Sequence, residues 1–139
     1  MKEKFSDYEG KMYLSSEGDF NFEITNAELV DSKKGEPMWK FDVEAPEGIS
    51  TIYHSLNPKA RWSFNNLIKA CLKLNTREKI EAFECDYETI GQDLVGKHFI
   101  GTVEADSYTK EVKKPMDDGT FETSMEERVS YKIKSYKEA

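Results

Sequence analysis

Several features that commonly define a function are scarce in this 139-residue sequence. Its only cysteines, Cys71 and Cys85, form no CxxC pair, so we predict reduced thiols and no disulfide framework or zinc site. No apolar run approaches the roughly 18 residues that span a bilayer. The opening residues, MKEKFSDYEGK, contain no apolar signal core. We therefore expect a cytoplasmic protein without a membrane segment.

The chain also lacks the usual motifs of catalysis and cofactor binding. It has no glycine-rich phosphate loop, and His54 and His98 lie within strand patterns without acidic or cysteine partners at ligand spacing. The sequence Asp117-Asp118-Gly119 is typical of a hairpin turn and lacks the alternating oxygen ligands of a calcium loop. We therefore predict no catalytic residue, no metal site and no cofactor, and we interpret the chain as a binding protein rather than an enzyme.

Basic charge is in short supply, since the net charge is −7. Its distribution is uneven, because residues 57–83 carry six basic and two acidic side chains, whereas the segments on either side are acidic. Further lysines are interleaved with acids after residue 107. A polyanionic partner would have to use these two regions, because a basic footprint over the whole surface is absent.

Alternation of apolar and polar residues is abundant, and it predicts β-strands. The first strand starts at Phe20, and its apolar phase shifts by one residue across Thr25 and Asn26, which predicts a β-bulge. The other four strands are predicted at residues 39–43, 51–56, 99–114 and 120–134.

One longer helix is predicted between the third and fourth strands. Asn57 followed by Pro58 is a helix start signal, and the helix is expected to run to about Asn75. A second, short helix is expected around residues 78–83. The apolar stripe of the longer helix, which would plug the end of a barrel, consists of Phe64, Leu67, Ile68 and Cys71.

Trp62 lies on the polar side of this helix, in phase with Asn66, Lys69 and Lys73. A tryptophan in such a position is uncommon. We predict that it packs against the N-terminal segment, and base stacking or contact with a partner is the alternative.

The element order predicts a mainly β fold. Three strands, a helix and two strands correspond to a five-stranded Greek-key barrel of the oligonucleotide-binding (OB) type, here with a long hairpin between strands four and five. We assign residues 1–18 to an N-terminal arm or leading strand and residues 19–139 to a single OB-like domain. Barrels of this kind bind nucleic acids, sugars or proteins, so the function has to be argued from a site.

Single-strand binding requires aromatic faces for base stacking and lysines that follow the phosphates. In an OB barrel the expected surface is the outer face of strands two and three, flanked by the first and last hairpin loops. Lys132 and Lys134 in the fifth strand are a second choice. The first-choice candidates are Lys33 and Lys34 in the first loop, Lys40 and Tyr53 on the face, and Tyr108, Lys110, Lys113, Lys114 and Phe121 in the last hairpin.

Three stretches together carry a family resemblance over about residues 17–110: EGDFNFEITNAELVDSKKGEPMWKFDVEAPEG, NPKARWSFNNLIKACLKL and DLVGKHFIGTVEADSYTKE. They resemble a family of tailed-phage early-region proteins that are taken to be single-stranded DNA-binding proteins with an OB fold. The resemblance implies binding of single-stranded DNA without sequence preference during phage DNA replication and recombination. It also implies the cytoplasm of a bacterial host cell and further contacts with phage or host replication and recombination proteins.

A second hypothesis is a protein-interaction barrel, such as a recombination mediator or host-factor binder, without direct nucleic-acid contact. The acidic balance of the chain fits it equally well. A homo-oligomer is a further alternative, because an extended hairpin serves either as a binding arm or as a dimerisation arm. The lysines and aromatic residues of this hairpin favour a binding arm that closes over single-stranded DNA.

Overall fold

The computed structural model describes residues 12–117 and 119–139. The predicted mainly β fold, with five strands and the order β-β-β-α-β-β, is confirmed. The strands are β1 (Gly18–Asp31), β2 (Pro37–Ala45), β3 (Gly48–Ser55), β4 (His98–Pro115) and β5 (Phe121–Glu138). The helices are α1 (Arg61–Leu72), which follows a 3-10 turn at Pro58–Ala60, α2 (Arg77–Ala82) and α3 (Ile90–Asp93).

β1 is the central strand of one antiparallel sheet with the order β3-β2-β1-β4-β5. Its first half pairs with β4 and its second half with β2. The register with β2 shifts between Ile24 and Asn26, which confirms the predicted bulge. Because of this extra residue, Ile24 and Ala27 are both buried, although residues three positions apart face opposite sides of a regular strand. One long strand thus serves both halves of the sheet.

The predicted closure into a barrel is not observed, because no ladder joins β3 to β5 within the described residues. The start of the outer edge of β3 is occupied by the chain's own N-terminal segment. Tyr13 forms a parallel bridge with Ile49, whose N–H donates to the Met12 carbonyl at 2.9 Å. Gly48 permits this approach, since a Cβ there would lie 2.9 Å from the same carbonyl oxygen. Beyond this bridge, β3 and β5 face each other through their side chains, and no backbone ladder connects them in the described residues.

α1 packs its apolar stripe into the core, as predicted. Phe64, Leu67, Ile68 and Cys71 are all buried, and the Asn57 side chain caps the preceding turn by accepting from the Lys59 N–H at 3.0 Å. The helix ends at Leu72 rather than near Asn75, because Lys73 adopts a left-handed conformation with φ 56°. α2 confirms the short helix expected at residues 78–83, whereas α3 was not predicted. No helix in the described part of the chain is long and apolar enough to cross a membrane.

β4 and β5 extend beyond the sheet as a two-stranded ribbon. Val103, opposite Gly18, is the last β4 residue that pairs with β1, and the β4–β5 ladder continues from there to the pair of Pro115 and Phe121. The predicted long hairpin is therefore confirmed. Two-stranded structures gain little stability by themselves, so the ribbon depends on its attachment to the sheet or on a bound partner.

Candidate functional site

Two of the predicted site residues lie side by side on the outer face of the sheet. Lys40 on β2 and Tyr53 on β3 are direct cross-strand partners, so their Cβ atoms are close neighbours. Tyr53 is 54% exposed and Lys40 is half-buried. The pair therefore offers an aromatic ring and a cation together at the edge of the sheet.

The rest of this outer face is acidic. Glu28 on β1 lies opposite Lys40, and Glu23 lies opposite Glu44. The Asp42 carboxylate accepts hydrogen bonds from the Thr51 hydroxyl at 3.3 Å and from the Asn26 amide at 3.4 Å. A polyanion would be repelled by the β1–β2 part of the face, which restricts any such contact to the β3 side.

Lys33 and Lys34 are exposed in the β1–β2 turn. The Ser32 hydroxyl organises this turn by accepting from the backbone N–H groups of Lys34 and Glu36 at 3.3 and 3.1 Å, and Gly35 supplies the required positive φ of 78°. The ribbon projects from the opposite end of β1, beyond Gly18. The structure thus places the two groups of predicted lysines at opposite ends of the central strand.

Within the ribbon, the register divides the predicted residues between two faces. Tyr108, opposite Arg128, and Lys110, opposite Glu126, lie on one face, and Lys113 lies on the other because side chains alternate along a strand. Lys114 and Phe121 belong to the β4–β5 ladder, but their side chains lie outside the described part of the structure. One bound strand could contact only part of this predicted set at a time.

The facing edges of β3 and β5 enclose a cleft of about 500 Å³. A hydrogen bond of 2.8 Å between His54 Nε2 and the Tyr136 hydroxyl joins the two strands across it. Tyr53 stands on the β3 side of the cleft, and Lys132 and Lys134 stand on the β5 side. These lysines were the second choice of the sequence analysis, and the structure brings them to the same cleft as Tyr53.

The groups that join the two strands are uncharged near neutral pH. Burial lowers the pKa of His54 to about 4, so its imidazole is neutral there, and burial raises the pKa of Tyr136, so its hydroxyl stays protonated. Asp106 is a counter-ion on the cationic side, because its carboxylate lies 2.6 Å from Lys134 Nζ and 3.8 Å from Lys132 Nζ. The hydrogen bond from Lys134, followed by the charges of both lysines, lowers the pKa of Asp106. The cleft therefore combines neutral polar groups, the exposed ring of Tyr53 and two partly neutralised cations.

Groups suited to metal binding or nucleophilic chemistry do not converge in the described residues. Among them, no three His, Cys, Asp or Glu side chains form a cluster that could hold a metal ion. Cys71 is buried in the core, and Cys85 is half-buried. Burial raises the pKa of the Cys71 thiol to about 12, which keeps it protonated and weakly nucleophilic.

Trp62 was predicted to pack against the N-terminal segment, and that contact stays a prediction. Its side chain is 71% exposed, and the N-terminal segment that was expected to cover it lies largely within residues 1–11, outside the described residues. The β3–β5 cleft was not predicted at all. The one signal for it in the sequence is the alternation in β5, which predicts that Lys132 and Lys134 lie on the same face of the strand.

No protein-family model matches this chain, and no curated protein aligns with it significantly. The phage-family resemblance therefore stays a prediction, and the class of protein that the structure defines is a five-stranded antiparallel β protein with a partly basic cleft between its edge strands.

Proposed function

We propose that this protein binds single-stranded DNA without strong sequence preference, in the β3–β5 cleft and on the adjoining face of β3. The observation that carries the proposal is the placement of an exposed aromatic ring, Tyr53, across one cleft from two cations, Lys132 and Lys134. Rings on which bases stack, next to cations that follow the phosphates, are the two elements of sequence-tolerant strand binding.

We further propose that the fold is an open variant of the OB barrel. The sheet order β3-β2-β1-β4-β5, the bulged β1 shared by β2 and β4, and the helix between β3 and β4 all support this assignment. OB barrels bind oligonucleotides on the face of strands two and three between the first and last hairpin loops. Lys33 and Lys34, at one end of β1, and Lys110, at the other, would then flank the bound strand.

The resemblance to phage early-region proteins supports a role in phage DNA replication and recombination, in the cytoplasm of a bacterial host. The sheet order is compatible with that role. A single-strand binder of this kind would also meet replication and recombination proteins, which are the further partners we propose.

Charge determines how strong such binding can be. The chain has a net charge of −7, so attraction has to come from the local cations rather than from a long-range field. Asp106 competes with phosphate for Lys132 and Lys134, because its carboxylate contacts both ammonium groups. We expect moderate affinity that falls as salt rises, since each neutralised phosphate releases counterions.

The test is a fluorescence-anisotropy titration of labelled oligo-dT at salt concentrations from about 50 to 200 mM, with duplex of the same length as a comparison. Replacing Lys132 and Lys134 with alanine should weaken binding and flatten the log–log salt slope by about 0.7 for each lost phosphate contact. Asp106→Asn should do the opposite and strengthen binding by up to about fivefold, because it frees both lysines from an exposed ion pair.

Lys79→Ala is the matched control. Lys79 is an exposed lysine on α2 that donates to the Asn75 side chain and does not line the cleft, so its replacement should leave affinity and slope unchanged. Preference for duplex over oligo-dT, or equal effects of the cleft and control variants, would contradict the proposed site. Absence of any oligo-dT binding at the lowest salt would contradict the function and leave the protein-interaction hypothesis.

A further inference from the structure

The indole of Trp62 is largely exposed to water on the surface of α1. It is 71% exposed, whereas Trp39 is 2% exposed and donates its indole N–H to the Tyr87 carbonyl at 2.7 Å. Indole is the largest apolar ring system among the side chains, and burying it in a core or an interface is strongly favourable. An indole left in water on a helix surface is therefore a candidate contact for a partner.

The surroundings of Trp62 suit a polyanion. Residues 57–75 contain no Asp or Glu, although the whole chain carries an excess of acids. The same segment contributes four cations, Lys59, Arg61, Lys69 and Lys73. Lys69 follows Trp62 by two helical turns and shares its side of α1, because a helix completes a turn every 3.6 residues, and Lys73 follows directly after the last residue of the helix.

These cations have no carboxylate at ion-pair distance among the residues that the structure describes. This contrasts with Lys132 and Lys134, which share Asp106. Arg61 lies over the Tyr87 ring, 4.4 Å from its centroid. The positive charge of α1 is consequently available to phosphates without displacement of a counter-ion.

Trp62 also stands next to the proposed binding cleft. Ser63, the following residue, lines the β3–β5 cleft. Asn66, one helical turn further, lines a neighbouring groove of about 240 Å³ with Tyr136, Lys137 and Glu138 of β5. The Glu138 carboxylate accepts hydrogen bonds from the Asn75 amide. Tyr136 lines both depressions, so the cleft and the groove meet beside the first turns of α1.

We propose that Trp62 is a base-stacking residue and that the bound single strand continues from the cleft onto the acid-free face of α1. This inference rests on the proposed function and adds a second contact region to it. A stacked base contributes affinity that does not depend on its identity, since every base has a π-face. Lys69 on the same face of the helix and Lys73 just beyond its end would hold the flanking phosphates.

The experiment uses the natural contrast between the two tryptophans. Because Trp39 is buried and Trp62 is exposed, quenching of intrinsic fluorescence by an added oligonucleotide reports mainly on Trp62. Wild-type emission should fall during an oligo-dT titration with the same midpoint as the anisotropy of a labelled strand. Trp62→Ala should remove this quenching and reduce affinity by between about 5-fold and 150-fold, the range for one lost stack. Its salt slope should stay unchanged, because no phosphate contact is removed.

Two further variants separate stacking from packing. Trp62→Phe keeps a ring and should recover part of the affinity, whereas Trp62→Leu keeps apolar surface without a ring and should bind as weakly as Trp62→Ala. All three should unfold at nearly the wild-type urea midpoint, because the indole is mostly exposed. Full affinity in Trp62→Leu, or binding of oligo-dT by anisotropy without any fluorescence change, would overturn this inference and leave the proposed function intact. Absence of oligo-dT binding in the wild type would overturn both.

Discussion

His54 makes the stability of this protein depend on pH. It is 6% exposed, stacks on Phe64 with ring centroids 5.2 Å apart, and hydrogen-bonds the Tyr136 hydroxyl. Burial without a compensating anion lowers its pKa from 6.5 to about 4. In the unfolded chain the same imidazole is hydrated and takes up a proton near its ordinary pKa. Acidification therefore favours the unfolded state.

The size of the effect follows from the difference between the two pKa values. Between pH 6.5 and about pH 4 the unfolded state binds more protons than the folded state, so the free energy of unfolding rises with pH in that window. The contribution is complete above pH 6.5 and is lost progressively as the pH falls toward 4. At 1.36 kcal/mol per pKa unit, the shift corresponds to about 3 kcal/mol. This is a large fraction of the stability of a domain of this size.

The assay is urea unfolding at several pH values between 7.5 and 4.5, comparing the wild type with His54→Gln. The variant removes the titrating group. Between pH 7.5 and 4.5 its free energy of unfolding should therefore fall by less than that of the wild type, with a difference of up to about 3 kcal/mol. His98→Gln is the matched control, because it replaces an exposed imidazole on β4 and leaves His54 in place, so the loss of stability in acid that His54 causes should persist. Parallel curves for the wild type and His54→Gln would refute the reasoning. If His54→Gln does not fold, an NMR titration of the wild-type imidazole decides, and a midpoint near 6.5 would refute it.

Two other predictions concern the core. Gly91→Ala should lower the free energy of unfolding by about 1–3 kcal/mol in urea, because an added Cβ would overlap the Trp39 ring under α3; an unchanged midpoint would show that α3 can shift without cost. In a Cys85→Ser variant, the remaining Cys71 should react with a thiol reagent at neutral pH only as fast as the protein opens, because its pKa is raised to about 12. Reaction at the rate of a small-molecule thiol would disprove its burial, and Cys71→Ser, which retains the half-buried thiol, is the comparison.

Local patterns predicted most of the secondary structure correctly. The phase shift at Thr25 and Asn26 located the bulge, since a side-chain period of two permits no other way to bury Ile24 and Ala27 on one face. Asn57 and Pro58 located the helix start, because capping is decided within a few residues. The helix end was misplaced, since Lys73 adopts a left-handed conformation that its side chain does not require. α3 was missed because one turn of helix leaves no periodic pattern to read.

The candidate site was predicted less well, because it depends on distances between strands that are remote in sequence. Lys40 and Tyr53 were expected on the same outer face, and the structure makes them direct cross-strand partners, since adjacent strands joined by a short turn have a defined register. The division of the ribbon lysines between two faces followed only from the β4–β5 register. The cleft depends on the separation of β3 and β5, which no local pattern specifies.

The sequence by itself determined the number and order of the strands, the bulge, the helix and the long hairpin, because each arises from the spacing of apolar residues, caps and turn residues along a short stretch of chain. Tertiary structure decided that the sheet stays open, that His54 is buried and neutral, and that Trp62 is exposed. These three features depend on which surfaces meet after the chain has folded. Hydrophobic burial and desolvation act on that final arrangement, so the features on which the proposed binding site rests became visible only in three dimensions.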